Sequence, residues 1–244
     1  MRIYRINDIF YTLQGEGRNT GRAAVFIRFA GCNLCCPFCD TAFDTFREMT
    51  AEEILRALAS VVGGFPADTQ GPASVVGSSP ADTHGPASVV GGSLADTLPL
   101  VVLTGGEPTL QVDEAFVDLL HQHGYEVAME SNGILPAPKN LDWLTVSPKG
   151  GEGRIVSGEG SIVSGERRMA DEIKVVFDEN TPAILSSLHP SPSSLHPSPL
   201  LYLQPCDTGD PNRNAAIIQQ CVDYIKHHPQ WRLSLQTHKL IGIE

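Results

Sequence analysis

Three cysteines stand close together early in the chain, at Cys32, Cys36 and Cys39, directly after the apolar run 24–30. Thiolates at such short spacing can each bind one iron of a 4Fe-4S cube, because cubane clusters are ligated by cysteine sulfurs. Three protein ligands leave the fourth iron open. The spacing therefore predicts a cluster that can bind and reduce a small molecule, instead of only passing electrons on.

Two other interpretations of these cysteines remain open. A structural zinc site needs four ligands in a tetrahedron, and Cys35 is adjacent to Cys36 in the chain, which makes it a poor fourth ligand for the same ion. Buried free thiols, the second alternative, are common in proteins.

Apolar runs alternate with helical patterns along most of the chain. The predicted strands cover residues 3–13 (a strand or hairpin), 24–30, 98–103, 126–129, 143–146, 172–177, 200–203 and 231–235, and the predicted helices begin at a Thr50 capping box, at Asp113 and near Asn214. This alternation predicts an α/β fold with a parallel sheet. The six strands after residue 97 are too few for a closed eight-stranded barrel, so we expect a partial one.

Polar motifs follow the predicted strands at their carboxyl ends. They include residues 104–108, 130–133, 147–149 and 236–239. Because the carboxyl ends of parallel strands share one edge of the sheet, these motifs are expected to meet in one crevice beside the cysteine loop.

Three short tandem repeats interrupt this pattern, at about 66–97, 151–168 and 186–199. Their units are too short and too rich in Gly, Pro and Ser to stack into a solenoid. We interpret them as low-complexity insertions in surface loops, expected to be mostly disordered. The repeat-borne His84, His189 and His196 are therefore poor candidates for metal ligands, and residues 1–244 are predicted to form a single domain.

Composition narrows the classes of ligand. The 244 residues include 28 acidic and 17 basic side chains, for a formal net charge of -11, with no dense basic cluster. This argues against nucleic acid or an anionic membrane as partner and favours a small substrate. The sequence has no membrane-length apolar run and no signal-peptide core, and its six cysteines form no obvious disulfide framework. We expect a cytoplasmic protein.

The cysteine spacing and the segment 104–108 (Thr-Gly-Gly-Glu-Pro) resemble the radical S-adenosylmethionine enzymes. The resemblance implies a partial TIM-like barrel, and a cofactor whose methionyl amine and carboxylate bind the open iron. The residues that it places at the cofactor are Phe38, Cys39, Asp40, Gly106, Glu107, Ser147, Pro148, Lys149 and Gln204.

Within that superfamily the chain resembles the 7-carboxy-7-deazaguanine synthases of queuosine precursor synthesis. The similarity rests on residues 13–17 (Leu-Gln-Gly-Glu-Gly), Arg28, 39–41 (Cys-Asp-Thr) and the motifs at 130–133, 147–149 and 236–239. It implies a lyase that converts 6-carboxy-5,6,7,8-tetrahydropterin into 7-carboxy-7-deazaguanine and ammonia, and it places Mg2+ on Thr41. The implied substrate contacts are Leu13, Gln14, Gly15, Glu16, Arg28, Thr104, His238 and the final Glu244.

The residue types agree with that substrate. A fixed cation such as Arg28 suits the pterin carboxylate, and an acceptor such as Glu16 suits its N–H groups. The resemblance also implies a flavodoxin or ferredoxin as electron donor, and a homodimer. The chain departs from the usual pattern at Cys35 and Ser131, and one repeat follows Lys149 closely. Another radical activase, of the glycyl-radical type, and a non-enzymatic metal-binding module are the alternative functions.

Overall fold

The strands form one open sheet. The computed structural model describes residues 2–36, 39, 45–63, 98–149, 169–181, 185 and 199–243. Within these residues nine strands pair in the order β3-β1-β2-β4-β5-β6-β7-β8-β9. Their bounds are β1 Ile3–Leu13, β2 Ala23–Phe29, β3 Arg47–Thr50, β4 Leu100–Gly105, β5 Val127–Ser131, β6 Trp143–Val146, β7 Glu172–Phe177, β8 Leu200–Pro205 and β9 Trp231–Leu233.

Seven of these strands, β2 and β4 to β9, run parallel, while β1 pairs antiparallel with both β2 and β3. In the described part of the chain β3 and β9 do not pair, so the sheet stays open. The predicted α/β fold with a partial barrel is confirmed. Strand β3 was not predicted, and its antiparallel pairing with β1 extends the sheet beyond the parallel strands.

Helices follow the strands and have the predicted starts. Their bounds are α1 Ala51–Val61, α2 Glu114–Gln122, α3 Pro211–His227 and α4 Thr237–Ile241, with single 3-10 turns at Gly17–Asn19 and Pro108–Leu110. The capping box before α1 is present, because Thr50 and Glu53 exchange side-chain to backbone hydrogen bonds. Helix α4 was not predicted, and it places the motif at 236–239 on a helix instead of a strand end.

Side chains alternate between an outer face, packed against helices, and an inner face along the strands. On β2, Ile27 and Phe29 are fully buried against α1 and α2 together with Leu58 and Phe116. The intervening Arg28 points to the other side and lines a cavity. A second core packs α3 on the far strands, through residues that include Phe177, Leu203, Ile217 and Cys221. The outer face therefore packs the sheet against its helices. The inner face carries a smaller apolar cluster of Ala24, Leu100, Val102 and Ala128, and the polar side chains that line the cavity.

The three predicted insertions lie outside the described residues, apart from residue 199, and their predicted disorder stays a prediction. The same holds for the prediction of a single domain. Among the described helices, none is long and apolar enough to cross a membrane.

Candidate active site

A cavity of about 380 Å³ lies at the carboxyl end of the parallel strands. Residues that sequence analysis placed at the site make up much of its wall: Leu13, Gln14, Glu16, Arg28, Cys32, Cys36, Cys39, Thr104, Gly106, Glu107, Ser147, Lys149, Gln204 and His238. Two candidates, Gly15 and Pro148, are not part of the wall. Four others, Phe38, Asp40, Thr41 and Glu244, lie outside the described residues.

Gly15 is not part of the cavity wall but contacts α4, which carries the wall residue His238. Its carbonyl oxygen accepts hydrogen bonds from the backbone N–H of Thr237 at 3.1 Å and from the Thr237 hydroxyl at 2.9 Å. A Cβ atom on Gly15 would overlap the imidazole of His238. The contact ties the first turn of α4 to the loop after β1 and sets the position of His238 at the cavity.

The three cysteines of the motif share the cavity wall, whereas Cys35 is exposed and is not part of it. Burial and the neighbouring sulfurs raise the pKa of the Cys36 thiol, and the nearby Lys149 ammonium opposes that shift. The backbone N–H of Leu34 points at Cys32 Sγ, at 3.4 Å. The loop thus presents three sulfurs, and not the fourth, to the same space.

Gly106 joins the loop after β4 to the cysteine loop. Its backbone N–H donates to Phe29 O, and the N–H of Glu107 donates to Gly31 O, both at 2.8 Å. A Cβ on Gly106 would overlap the Gly31 carbonyl group. Glycine is therefore required here for close backbone approach, because any side chain would push the two loops apart.

The Glu107 carboxylate is buried and fully engaged with the protein, with only 1% of the residue exposed. One oxygen accepts from the backbone N–H of Thr109, from its hydroxyl and from the Ser131 hydroxyl, at 3.1, 2.6 and 2.9 Å. The other oxygen accepts from Asn132 N–H at 2.8 Å. These four bonds make the side chain a clamp between the ends of β4 and β5.

Arg28 presents a cation to the cavity. Its guanidinium lies over the ring of Phe10, 4.6 Å from the ring centroid, and Phe10 stacks on Phe26 at 5.3 Å. In the register of the sheet Arg28 lies beside Thr104 of β4. No carboxylate of the described residues forms an ion pair with Arg28. The aromatic stack instead holds the cation in place for a ligand.

Glu16 is at the centre of a buried polar network. Its Oε2 pairs with Lys174 Nζ, and its Oε1 accepts from the side-chain amides of Gln204 and Gln236, each at 3.1 Å. Only 14% of the Glu16 side chain is exposed. Glu16 therefore belongs to the buried wall of the cavity and is not a solvated turn residue.

Lys174 joins a second carboxylate to the same network. Its Nζ lies 3.3 Å from Oε2 of Glu130, whose Oε1 accepts from Gln14 Nε2 at 2.9 Å. Burial alone would lower the pKa of Lys174, but the carboxylates of Glu130, Glu16 and Glu172 raise it. Burial alone would raise the pKa of Glu16, and the Lys174 charge with three hydrogen bonds lowers it to about 2. Glu16 and Lys174 therefore hold each other in their charged forms.

Sequence analysis missed Lys174 and, as a site residue, Glu130, although both line the cavity. Lys174 is the single basic residue of the strand Glu-Ile-Lys-Val-Val-Phe, on the face opposite the core residue Val175. A lysine between apolar residues in the interior of a strand is the signal that could have identified it. Glu130 opens the motif at 130–133, and that motif was recognised without assigning this residue a role.

Comparison with known proteins identifies the family. No family model matches the chain. The chain is 40% identical to the 7-carboxy-7-deazaguanine synthase of Bacteroides thetaiotaomicron, over 98% of both proteins. It is 39% identical to the 7-carboxy-7-deazaguanine synthase of Bordetella pertussis, over 98% of this chain and 99% of the relative. The chain belongs to the 7-carboxy-7-deazaguanine synthase family.

A solved structure agrees with this membership in the 7-carboxy-7-deazaguanine synthase family. The crystal structure of QueE from Escherichia coli matches with a TM-score of 0.59 and 25% identity, over 96% of this chain and 93% of that one. The family predicted from the motifs is confirmed, and with it the prediction that the protein is an enzyme.

Proposed function

We propose that the protein converts 6-carboxy-5,6,7,8-tetrahydropterin into 7-carboxy-7-deazaguanine with release of ammonia, within queuosine precursor synthesis. One observation carries the proposal: the three motif cysteines and the stacked cation of Arg28 line one cavity. Its volume of about 380 Å³ lies within the usual range for small-molecule sites. A redox centre and a carboxylate-binding group in one enclosed space suit a small anionic substrate.

The residues present fit a 4Fe-4S cluster better than a single metal ion. Within the described ranges, no three His, Cys, Asp or Glu side chains are placed to hold one ion together. A cubane cluster does not need ligands that converge on one ion, because each of its cysteines binds a different iron. It needs cysteines spaced around a cavity that can hold the whole cluster. Cys32, Cys36 and Cys39 around one cavity meet that requirement, and Cys35 outside it leaves one iron open.

A cluster and S-adenosylmethionine, once bound, supply the reductive radical chemistry that no side chain of the protein can provide. Gly106 brings the main chain close to that space, and Ser147, Lys149 and Gln204 line it beside the cysteines. The Glu107 carboxylate acts by holding together the loops after β4 and β5, since its four hydrogen bonds are all to the protein. The proposed cofactor contacts of Phe38, Asp40 and Pro148 rest on the family resemblance.

The substrate carboxylate is assigned to Arg28, with the Thr104 hydroxyl in register beside it. The N–H groups of the pterin ring need acceptors, and Glu16 and Glu130 supply carboxylate oxygens in the same cavity. Gln14, His238 and Leu13 complete this side of the wall. The assignments of Mg2+ to Thr41 and of ring contacts to Glu244 rest on the resemblance, as do the flavodoxin or ferredoxin donor and the homodimer. The cytoplasmic location rests on the sequence, which has no membrane-length apolar run and no signal-peptide core.

An anaerobic turnover assay tests the proposal. The protein is reconstituted with iron and sulfide, reduced, and supplied with S-adenosylmethionine, Mg2+ and 6-carboxytetrahydropterin. Ammonia and 7-carboxy-7-deazaguanine are expected from the wild type and not from Cys32→Ala, while Cys35→Ala is the matched control that retains activity. If S-adenosylmethionine is cleaved to 5'-deoxyadenosine but no deazaguanine forms, the protein has a different radical activity and the substrate assignment is wrong. Zinc binding without cluster assembly would leave only a metal-binding module.

A further inference from the structure

Lys174 belongs to none of the sequence motifs, and no role was predicted for it. It lies on the inner face of β7, only 5% of its side chain is exposed, and its ammonium lies between carboxylates from two distant parts of the chain. Glu16 belongs to the loop after β1, and Glu130 belongs to β5. A buried lysine is costly unless paired, and here two acidic partners stabilise it.

The hydrogen bonds leave unused acceptor positions on both carboxylates. A carboxylate has about four lone-pair sites. Glu16 uses three of them, for Lys174, Gln204 and Gln236, and Glu130 uses two, for Lys174 and Gln14. The remaining sites belong to side chains that line the cavity. Both groups can therefore still accept hydrogen bonds from a ligand.

We propose that Lys174 is a positioning residue that holds the carboxylates of Glu16 and Glu130 together as an acceptor pair for the N–H edge of the pterin ring. The inference rests on the proposed function, and it adds the group that fixes the charge and the orientation of the acceptors. An aminopyrimidinone edge offers adjacent N–H donors, and a carboxylate recognises such an edge only when it is ionised. Lys174 itself has no need to contact the ligand.

Charged groups from several elements surround the Lys174 ammonium and affect its charge and that of its partners. Its ammonium faces Glu16 from the loop after β1, Glu130 from β5 and Glu172 from its own strand. Burial raises the pKa of Glu172, and the Arg18 N–H that donates to its Oε2 at 3.0 Å opposes that shift. Arg28, Lys149, Asp207 and His238 line the same cavity. Without the lysine, at least two carboxylates would face each other in a buried space.

The test is the pH dependence of pterin binding to the reconstituted protein, measured by titration with 6-carboxypterin as a stable probe. The wild type is expected to bind with nearly constant affinity between about pH 6 and pH 8, because Glu16 stays ionised beside Lys174. Lys174→Met should bind about tenfold more weakly for each pH unit below the new, higher pKa of the unpaired, buried Glu16, and should recover as the pH rises. Lys226→Met, at an exposed lysine of α3, is the matched control and should follow the wild type.

Lys174→Met can also weaken folding, so a charge-balanced comparison is included. Lys174→Met/Glu16→Gln removes one charge of each sign, and it is compared with Glu16→Gln alone. The double variant should bind the probe more weakly than Glu16→Gln, because Glu130 then lacks the ammonium that orients it. Weakening by the same factor at every pH in Lys174→Met, or equal binding by the double variant and Glu16→Gln, would overturn the role of Lys174 and leave it a purely structural residue. A wild-type protein that binds no pterin would overturn the proposed function as well, and only that result affects both.

Discussion

Gly106 and Gly31 are in direct backbone contact, and this contact joins the loop after β4 to the cysteine loop. The N–H of Glu107 donates to Gly31 O at 2.8 Å, and a Cβ on Gly106 would overlap that carbonyl group. The position of the three sulfurs thus depends on the absence of a side chain one loop away.

Gly106→Ala is expected to separate these loops. Overpacking of this kind costs about 1–3 kcal/mol in the free energy of unfolding, and the displaced cysteine loop should bind less iron and sulfide. The measurements are chemical denaturation of the metal-free protein and iron and sulfide content after reconstitution. Gly63→Ala is the control. This variant should also be less stable, because Gly63 has a positive φ, but the added Cβ meets open space. Its cluster loading should therefore not change. Full loading in Gly106→Ala would show that the contact does not position the cysteines.

Glu107→Gln tests the clamp between β4 and β5. The amide nitrogen can accept none of the four hydrogen bonds that the carboxylate accepts, so at least one buried donor loses its partner. The expected loss in the free energy of unfolding is about 1–3 kcal/mol. Urea denaturation of the metal-free protein gives the value, and Glu52→Gln on the exposed side of α1 should change it little. A Glu107→Gln protein as stable as the wild type would mean that the clamp contributes nothing to folding.

The sequence predicted the strands and helices that carry the site because their periodicity is local. β6 and β7 have the predicted bounds, and the Thr50 capping box starts α1 as expected. Strand β3 was missed because its four residues, Arg-Glu-Met-Thr, contain one apolar side chain and pair only through contact with β1. A short polar strand forms because it pairs with a neighbouring strand, and periodicity in the sequence does not reveal that pairing.

The environment of Glu16 could not be predicted from its position in a Gly-rich turn. Its partners Lys174, Gln204 and Gln236 lie 158, 188 and 220 residues further along the chain. Motifs placed Gln14, Glu16 and Gln204 at the site. The hydrogen bonds that join them to one network, and the lysine that balances its charge, follow only from the order in which the strands lie side by side in the open sheet.

Acid should destabilise the protein through Glu16. Its pKa is lowered in the folded state from 4.5 to about 2, so it stabilises the fold above its unfolded pKa, and that stabilisation is lost as the pH falls toward the folded value. The free energy of unfolding should therefore decrease between about pH 4.5 and pH 2 more steeply in the wild type than in Glu16→Gln. Denaturation series on the metal-free proteins measure this, with Glu48→Gln at an exposed site as control. Parallel curves for the wild type and Glu16→Gln would contradict the charged pairing of Glu16 with Lys174.

The most direct test of the central claim, that this cavity binds a carboxylated pterin, is the affinity of the reconstituted protein for 6-carboxytetrahydropterin and for the same ring without its carboxylate. The wild type should prefer the carboxylated ligand about 10- to 100-fold, because a charge-assisted pair contributes about 1.5–3 kcal/mol. Arg28→Met should lose that preference and keep its weak affinity for the bare ring, while Arg232→Met, exposed on β9, should retain it. Equal affinity of the wild type for the two ligands, or an unchanged preference in Arg28→Met, would contradict the account.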